Sequence, residues 1–393
     1  MTGPGPLRIG VVAGEESGDL LAADLVAALS RRTGRPVELV GVGGRHLAAL
    51  GLEPLFDGSE IALMGFTAVL RDLPRLMRRI GQTAAAIAEA RPDCLITVDS
   101  PDFSLRVAKK VRAAAPGIPI VHYVCPSVWA WRPGRAAAMR AHVDKVLCVL
   151  PFEPEALRRL DGPEGVYVGH RLTAHPGVLA ARAAQTARTA GTGDRPQRLL
   201  VLPGSRRSEV RRLLGPFGET LCALGQRNNT FEVIVPTVPH VAPLVEEAVS
   251  DWPVRTRVVT GEEGKWQAFG EADAALAASG TVSLELALCG VPMVSCYRTD
   301  WILSAIMPFV TVWSASLPNL IADWPVVPEA YNEYLRPAYL ARLIEQLWAD
   351  TPVRAAQVDG LAQVAARMTT ERPAGDLAAE EVLSRIGSAQ DQL

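Results

Sequence analysis

Three absences narrow the reading of this 393-residue chain. The six cysteines (94, 125, 148, 222, 289 and 296) never lie closer than seven positions apart, so no C-x-x-C pair announces zinc and no dense framework announces disulfides. A reduced cytoplasmic protein is expected. No apolar run approaches the roughly 18 residues of a spanning helix, and "MTGPGPLRIG" lacks the charged and apolar regions of an export signal. The expectation is a protein neither exported nor integral to a membrane. Excess charge of one sign is absent too: 40 Lys and Arg against 42 Asp and Glu give a net charge of -2, which disfavours wholesale nucleic-acid binding.

Apolar residues are plentiful at 49%, enough for two cores. Short apolar runs alternate with helical patterns: "LRIGVVAG", "VELVGVGG", "DCLITVDS", "IPIVHYVC", "DKVLCVLPF" and "GVYVGH". Runs of this kind predict parallel strands covered by helices on both faces. The pattern restarts with "RLLVLPGSRRSEV", "FEVIVPTV", "TRVVTG", "ADAALAASG" and "VPMVSCYR". The fold expected is α/β, with two Rossmann-like doubly wound domains and a cleft between the carboxyl ends of their strands. The boundaries read as 1–172 for the first domain, 173–197 for an Ala, Thr and Gly-rich crossover and poorly ordered loop, 198–355 for the second domain, and 356–393 for C-terminal helices.

In "VLPGSRRSEV" a strand turns through Gly204 and Ser205 into a helix with Arg206 in its first turn. Free N–H groups, a hydroxyl and a guanidinium suit a phosphate, although a capped surface helix reads equally well from this stretch alone. "AASGTVSLELALCG" supplies a second such start at Ser279, Gly280 and Thr281, with Glu285 one turn in, placed to meet ribose hydroxyls. Together they describe a nucleoside diphosphate site. No D-x-D pair follows a strand and no H-x-x-x-H or H-E-x-x-H occurs, so no metal or other cofactor is expected.

The first half supplies carboxylates. "VVAGEESGD" puts Glu15, Glu16 and Asp19 where a phosphate cradle would want glycines. "ITVDSPDF" places Asp99 just past a strand, where a carboxylate can take a proton from an attacking hydroxyl; Asp102 reads as a helix cap. "HYVCPSVWAWRPGR" brings Ser127, Trp129 and Trp131, either a sugar or acyl wall or interface packing. In "MGFTAVLRDLPRLMRRIG" Phe66, Val69, Leu70, Leu73, Leu76, Met77 and Ile80 share one helical side, opposite Arg71, Arg75, Arg78 and Arg79. Pro74 must start or kink such a helix, which is either core-facing or an interfacial lipid-seeking segment.

The blocks "AGEESGD", "MGF", "DSPDF", "HYVCPSVWAWR", "LPGSRRSEV", "ASGTVSLELA", "GVPMV" and "SLPNLI", in this order, resemble the lipid-A-disaccharide synthases, hexosyltransferases of GT-B architecture. The resemblance implies transfer of 2,3-diacylglucosamine from its UDP derivative to the 6-hydroxyl of 2,3-diacylglucosamine 1-phosphate. The β-1,6 product forms by a single inverting step without a metal. It implies Asp99 as the base and Glu15, Ser17, Asp19, Met64, Ser127 and Trp129 on the acceptor side. Gly204, Ser205, Arg206, Ser279, Gly280, Thr281, Glu285 and Asn319 fall to UDP. Phe66, Val69, Leu70 and Leu73 would touch the cytoplasmic leaflet of the inner membrane, and dimers with crossing C-terminal helices are implied as well. Two other readings stay open at this point: a UDP-sugar 2-epimerase and a non-catalytic UDP-sugar binding protein.

Overall fold

β-Branched and leucine-rich runs too short for helices become buried strands in the computed structural model, which describes residues 5–62, 69–188, 195–227, 230–299 and 310–390. The chain divides into two compact units, Met1–Arg171 with Thr370–Leu393, and Leu172–Thr369.

In the first unit, β1 (Leu7–Ala13), β2 (Val37–Val42), β3 (Cys94–Val98), β4 (Ile120–Tyr123), β5 (Lys145–Cys148) and β6 (Glu164–Tyr167) form a parallel sheet in the order β2-β1-β3-β4-β5-β6. Strand order reverses between β1 and β3, and ligands of open α/β sheets bind outside the carboxyl ends at such a switch. β3 is buried throughout, as a two-sided strand must be. The helix Pro101–Ala114 turns Phe103, Val107, Ala108 and Val111 into the core beside it.

In the second unit, β7 (Gln197–Leu202), β8 (Phe231–Thr237), β9 (Thr256–Thr260), β10 (Ala274–Ala278), β11 (Met293–Tyr297) and β12 (Glu329–Tyr331) are again parallel, in the order β12-β11-β10-β7-β8-β9. Its switch lies between β7 and β10, the strands that lead into the two expected phosphate turns.

Two boundaries differ from the sequence reading. The expected crossover holds a helix, Pro176–Thr186: His175 Nδ1 accepts from Gly177 N at 3.2 Å at its start, and Val178, Ala181 and Gln185 are buried. Alanine-rich composition looks like linker but favours helix once one face is covered. The helix Pro352–Met368 groups with the second unit, so the break falls at Thr369 and only the last helix, Ala374–Gln390, returns to the first. That helix packs on Glu16–Thr33 of the same chain, with Arg31–Asp376 and Arg32–Glu380 pairs at 3.0 and 3.2 Å. Lys145 Nζ, almost buried on β5, reaches Glu381 at 2.7 Å. Burial alone would push the Lys145 ammonium down, but Glu381 and Glu164 together hold it above its ordinary value.

The helix Val69–Ala90 contains Pro74 rather than beginning at it. Leu76, Ile80, Ala84 and Ile87 enter the core, while Arg75 and Arg79 clasp Glu60 at 3.1 and 2.8 Å. Those two guanidiniums hold the Glu60 carboxyl below its usual range.

Candidate functional site

β7 ends at Leu202, Gly204 takes φ +109, and Arg206 caps the helix Arg207–Gln226. Only glycine suits the turn: a Cβ on Gly204 would stand 2.2 Å from Glu209 Oε2, and that same oxygen accepts from Ser205 N at 3.2 Å. His240 Nε2 donates to the Ser205 carbonyl at 2.9 Å and steadies the turn from the far side. On the neighbouring β10, Ser279 follows the strand and Gly280, at φ +151, precedes the helix Thr281–Cys289. Ser279 is fixed by its N–H to Cys296 O (2.8 Å) and its hydroxyl to Ala315 O (3.1 Å).

Gly204, Ser205, Arg206, Ser279, Gly280, Thr281 and Glu285 all line one cavity of about 510 Å³. Two helix starts therefore present N–H groups and dipole ends to a single space, and an exposed guanidinium stands at its edge. Glu285 lies one turn inside, and Lys265 from the helix Glu262–Glu271 donates to it at 3.1 Å while sitting over the Trp266 ring at 4.0 Å. Sequence reasoning missed Lys265, because nothing in "GEEGKWQAF" marks it until the fold brings it to Glu285.

Asn319 does not line this cavity. It is fully buried, donates to Val327 O (3.0 Å) and Glu329 (3.3 Å), and accepts from Val327 N (2.7 Å). Glu329 in turn holds Ser314 Oγ (2.7 Å), Ala315 N (3.1 Å) and the Tyr331 hydroxyl. Asn319 thus reaches the site indirectly, through the loop whose Ala315 carbonyl anchors Ser279.

In the first unit, Ala13 and Val98 are in register at the ends of β1 and β3, so the acidic turn and Asp99 emerge side by side at the sheet's switch. Asp99 and Ser100 have φ of +49 and +43, and Val124, just past β4, has φ +74. Left-handed backbone is unfavourable for ordinary residues and most of all for a β-branched one. Such strain, of order 1–3 kcal/mol per residue, gathers at functional sites. Asp99 is half-buried, its N–H donates to Tyr123 O at 3.0 Å, and its carbonyl accepts from Ser104 Oγ at 2.5 Å. Asp102, expected as a cap, instead pairs with Arg135 at 2.7 Å.

The acidic turn divides its labour. Glu15, Glu16 and Ser17 are exposed at the start of the helix Glu16–Thr33, and Glu16 pairs with Arg45. Asp19 was expected beside the acceptor, but it is buried and accepts three backbone N–H groups. Oδ1 takes Gly44 (2.7 Å) and Leu47 (3.3 Å), and Oδ2 takes His46 (2.8 Å). Three of its roughly four lone-pair positions are taken by the start of the helix Arg45–Ala48.

Ser127 is exposed and Trp129 half-buried. The indole N–H of Trp129 donates to Glu153 Oε1 at 3.3 Å, and its ring meets Phe152 edge-on at 5.1 Å. Glu153 Oε2 accepts from Val149 and Leu150 N–H, both at 3.0 Å, yet burial still pushes its carboxyl up to about 7. Met64 and Phe66 lie outside the described residues, as do the side chains of Val69 and Leu70. Leu73 and its neighbour along the helix, Met77, are exposed at 38% and 43%. No helix among the described residues is long and apolar enough to cross a membrane.

The lipid-A-disaccharide synthetase family model matches residues 9–378. A lipid-A-disaccharide synthase of Nitrobacter winogradskyi is 47% identical, over 98% of this chain and 97% of that protein. One of Rhodopseudomonas palustris is 48% identical over 94% of each. Among solved structures, MurG of Acinetobacter baumannii aligns with TM-score 0.58 at 13% identity, over 97% of this chain and 100% of that one. The MnaA–UDP structure from S. aureus aligns with TM-score 0.61 at 12% identity, over 98% of each. These likenesses carry the fold, two parallel-sheet α/β units of the GT-B type, and the sequence matches carry the family. The chain belongs to the lipid-A-disaccharide synthase family of glycosyltransferases.

Proposed function

We propose that the chain transfers 2,3-diacylglucosamine from UDP-2,3-diacylglucosamine to the 6-hydroxyl of 2,3-diacylglucosamine 1-phosphate, with inversion and release of UDP. The observation that carries this reading is the pair of helix starts, at Arg206 and Thr281, opening into one cavity with Glu285 behind them. The acceptor oxygen attacks the sugar C1 as the bond to the β-phosphate oxygen breaks, and the hydroxyl proton passes to Asp99. The departing diphosphate gains its second terminal charge against the Arg206 guanidinium and two helix dipoles, so the reaction runs without a metal. Glu285 accepts from the ribose, and Lys265 keeps its carboxylate in place.

On the acceptor side we assign Glu15, Ser17, Ser127 and Trp129, with Met64 from the "MGF" block. The acyl chains stay in the cytoplasmic leaflet of the inner membrane, approached by the exposed Leu73 and Met77 beside Arg78. Replacing Leu73 and Met77 with Ser should lower binding to anionic vesicles while leaving the melting temperature in place. A homodimer is part of the same reading, and light scattering in detergent tests it.

The decisive assay gives purified protein UDP-2,3-diacylglucosamine in detergent and EDTA, with and without the acceptor. UDP release that requires the acceptor and survives EDTA is expected. Conversion of the donor alone would favour an epimerase, and no turnover with either lipid would leave a binding protein.

A further inference from the structure

The core of the first unit holds a cluster that the transfer reaction does not use. Cys125 lies in the loop after β4, Cys148 closes the adjacent β5, and Glu153 begins the helix Glu153–Arg159. All three are buried, and the two sulfurs and a Glu153 carboxylate oxygen lie within 4.8 Å of one another. Neighbouring parallel strands bring together residues 23 positions apart, which is why cysteine spacing gives no hint of the cluster.

The surroundings are shaped around it. A Cβ on Gly165 of β6 would meet Leu157 Cδ1 at 2.7 Å, Pro154 Cα at 3.1 Å and Cys148 Sγ at 3.2 Å, so glycine there is required by the packing of the helix Glu153–Arg159 and of the sulfur together. The thiols hydrogen-bond each other and weak backbone acceptors, the Pro126 carbonyl at 3.3 Å for Cys125 and the Val146 carbonyl at 3.8 Å for Cys148. Glu153 is oriented by the N–H groups of Val149 and Leu150 on one oxygen and the Trp129 indole on the other. Two polarizable sulfurs converging with a preoriented carboxylate match the ligand preference of a borderline-soft d¹⁰ cation. Tetrahedral zinc needs its sulfur and oxygen ligands about 3.4–3.8 Å apart, so atoms already within 4.8 Å of one another would draw together on binding.

We propose that Cys125, Cys148 and Glu153 bind a divalent ion of the zinc class as a structural clamp. Binding breaks two S–H bonds and forms two metal–sulfur bonds and one metal–oxygen bond to Glu153, with both thiol protons leaving to solvent and a water carried in with the ion filling the fourth position. The two thiolates cancel the ion's charge, and the carboxylate's remaining negative charge is met by its three N–H donors. Because the ligands are buried, the ion enters as β4 and β5 come together in folding. It would tie the Trp129 loop to β5 and to the following helix. The clamp is separate from the transfer chemistry and does not rest on the substrates proposed above.

The test uses the full chain carrying Cys222→Ser, since Cys222 is an exposed thiol that would collect metal adventitiously. Protein from zinc-supplemented cells is dialysed against chelator and its metal content measured by mass spectrometry. About one zinc per chain is expected, falling to background in Cys125→Ser and in Cys148→Ser. Protein grown on cobalt should show a thiolate-to-cobalt charge-transfer band, and this arm needs no substitution in the core. Zinc at background together with no cobalt band in the Cys222→Ser protein would overturn the proposal. So would metal retained unchanged when both core cysteines are replaced by serine, or an intact mass two hydrogens short from a Cys125–Cys148 disulfide.

Discussion

Lys265 Nζ donates to Glu285 Oε1 at 3.1 Å from a different helix, and both side chains are mostly buried at the wall of the nucleotide cavity. The contact restrains the carboxylate that we assign to the ribose hydroxyls. Removing Lys265 leaves that charge uncompensated, so Lys265→Met should weaken UDP binding about tenfold or more, a charged hydrogen bond's worth. In a double-mutant cycle with Glu285→Gln, calorimetry should find a coupling of order 1 kcal/mol. Additive losses would mean that the pair does not act as a unit.

Arg206 lines the same cavity, at the helix start that we assign to the diphosphate. Arg206→Ala should cost UDP ~1.5–3 kcal/mol while leaving uridine binding unchanged, because the missing contact is to phosphate alone. Equal losses for both ligands would place Arg206 elsewhere.

Asp19 is a structural carboxylate in this account. Asp19→Ala strands the Gly44, His46 and Leu47 N–H groups, and the urea midpoint of the first unit should fall by the equivalent of roughly 2–3 kcal/mol. An unchanged midpoint with lost turnover would return Asp19 to the acceptor site.

His122 hydrogen-bonds Thr97 Oγ1 through Nδ1 at 2.8 Å, and its buried Nε2 has no partner among the described residues. Burial, with help from His142 and Arg135, pushes it down to about 3. A histidine with a depressed folded value contributes its full stability above the unfolded value of about 6.5 and loses it as pH falls toward the folded one. His122→Asn should therefore flatten the acid limb of the stability curve by about 1.4 kcal/mol per pH unit below roughly 6.5. Equal acid limbs in variant and parent would show that His122 does not carry this part of the dependence.

Much of the candidate site could be read from local chemistry. "LPGSRRS" and "ASGTVS" each contain a whole strand end, turn and helix start, so the residues that line the cavity from each strand are contiguous. The place of Asp99 was legible for the same reason, as the first residue past a buried run. What sequence could not show lies between elements. Lys265 meets Glu285 only because two helices pack, and Cys125 meets Cys148 only because β4 and β5 are neighbours. Asp19 looked free for a ligand because its three backbone partners are 25 to 28 residues away. Composition suggests crossover and loop over the Pro176–Thr186 helix because it cannot report that Trp266 and Phe269 of a later helix pack against it.

The most direct test of the division between a phosphate-holding unit and a base-bearing unit is Asp99→Asn, with acceptor-dependent turnover and UDP affinity measured on the same preparation. The account predicts turnover reduced by ~10²–10⁴ with UDP affinity unchanged. Full turnover in the variant, or a loss of turnover matched by an equal loss of UDP binding, would contradict it.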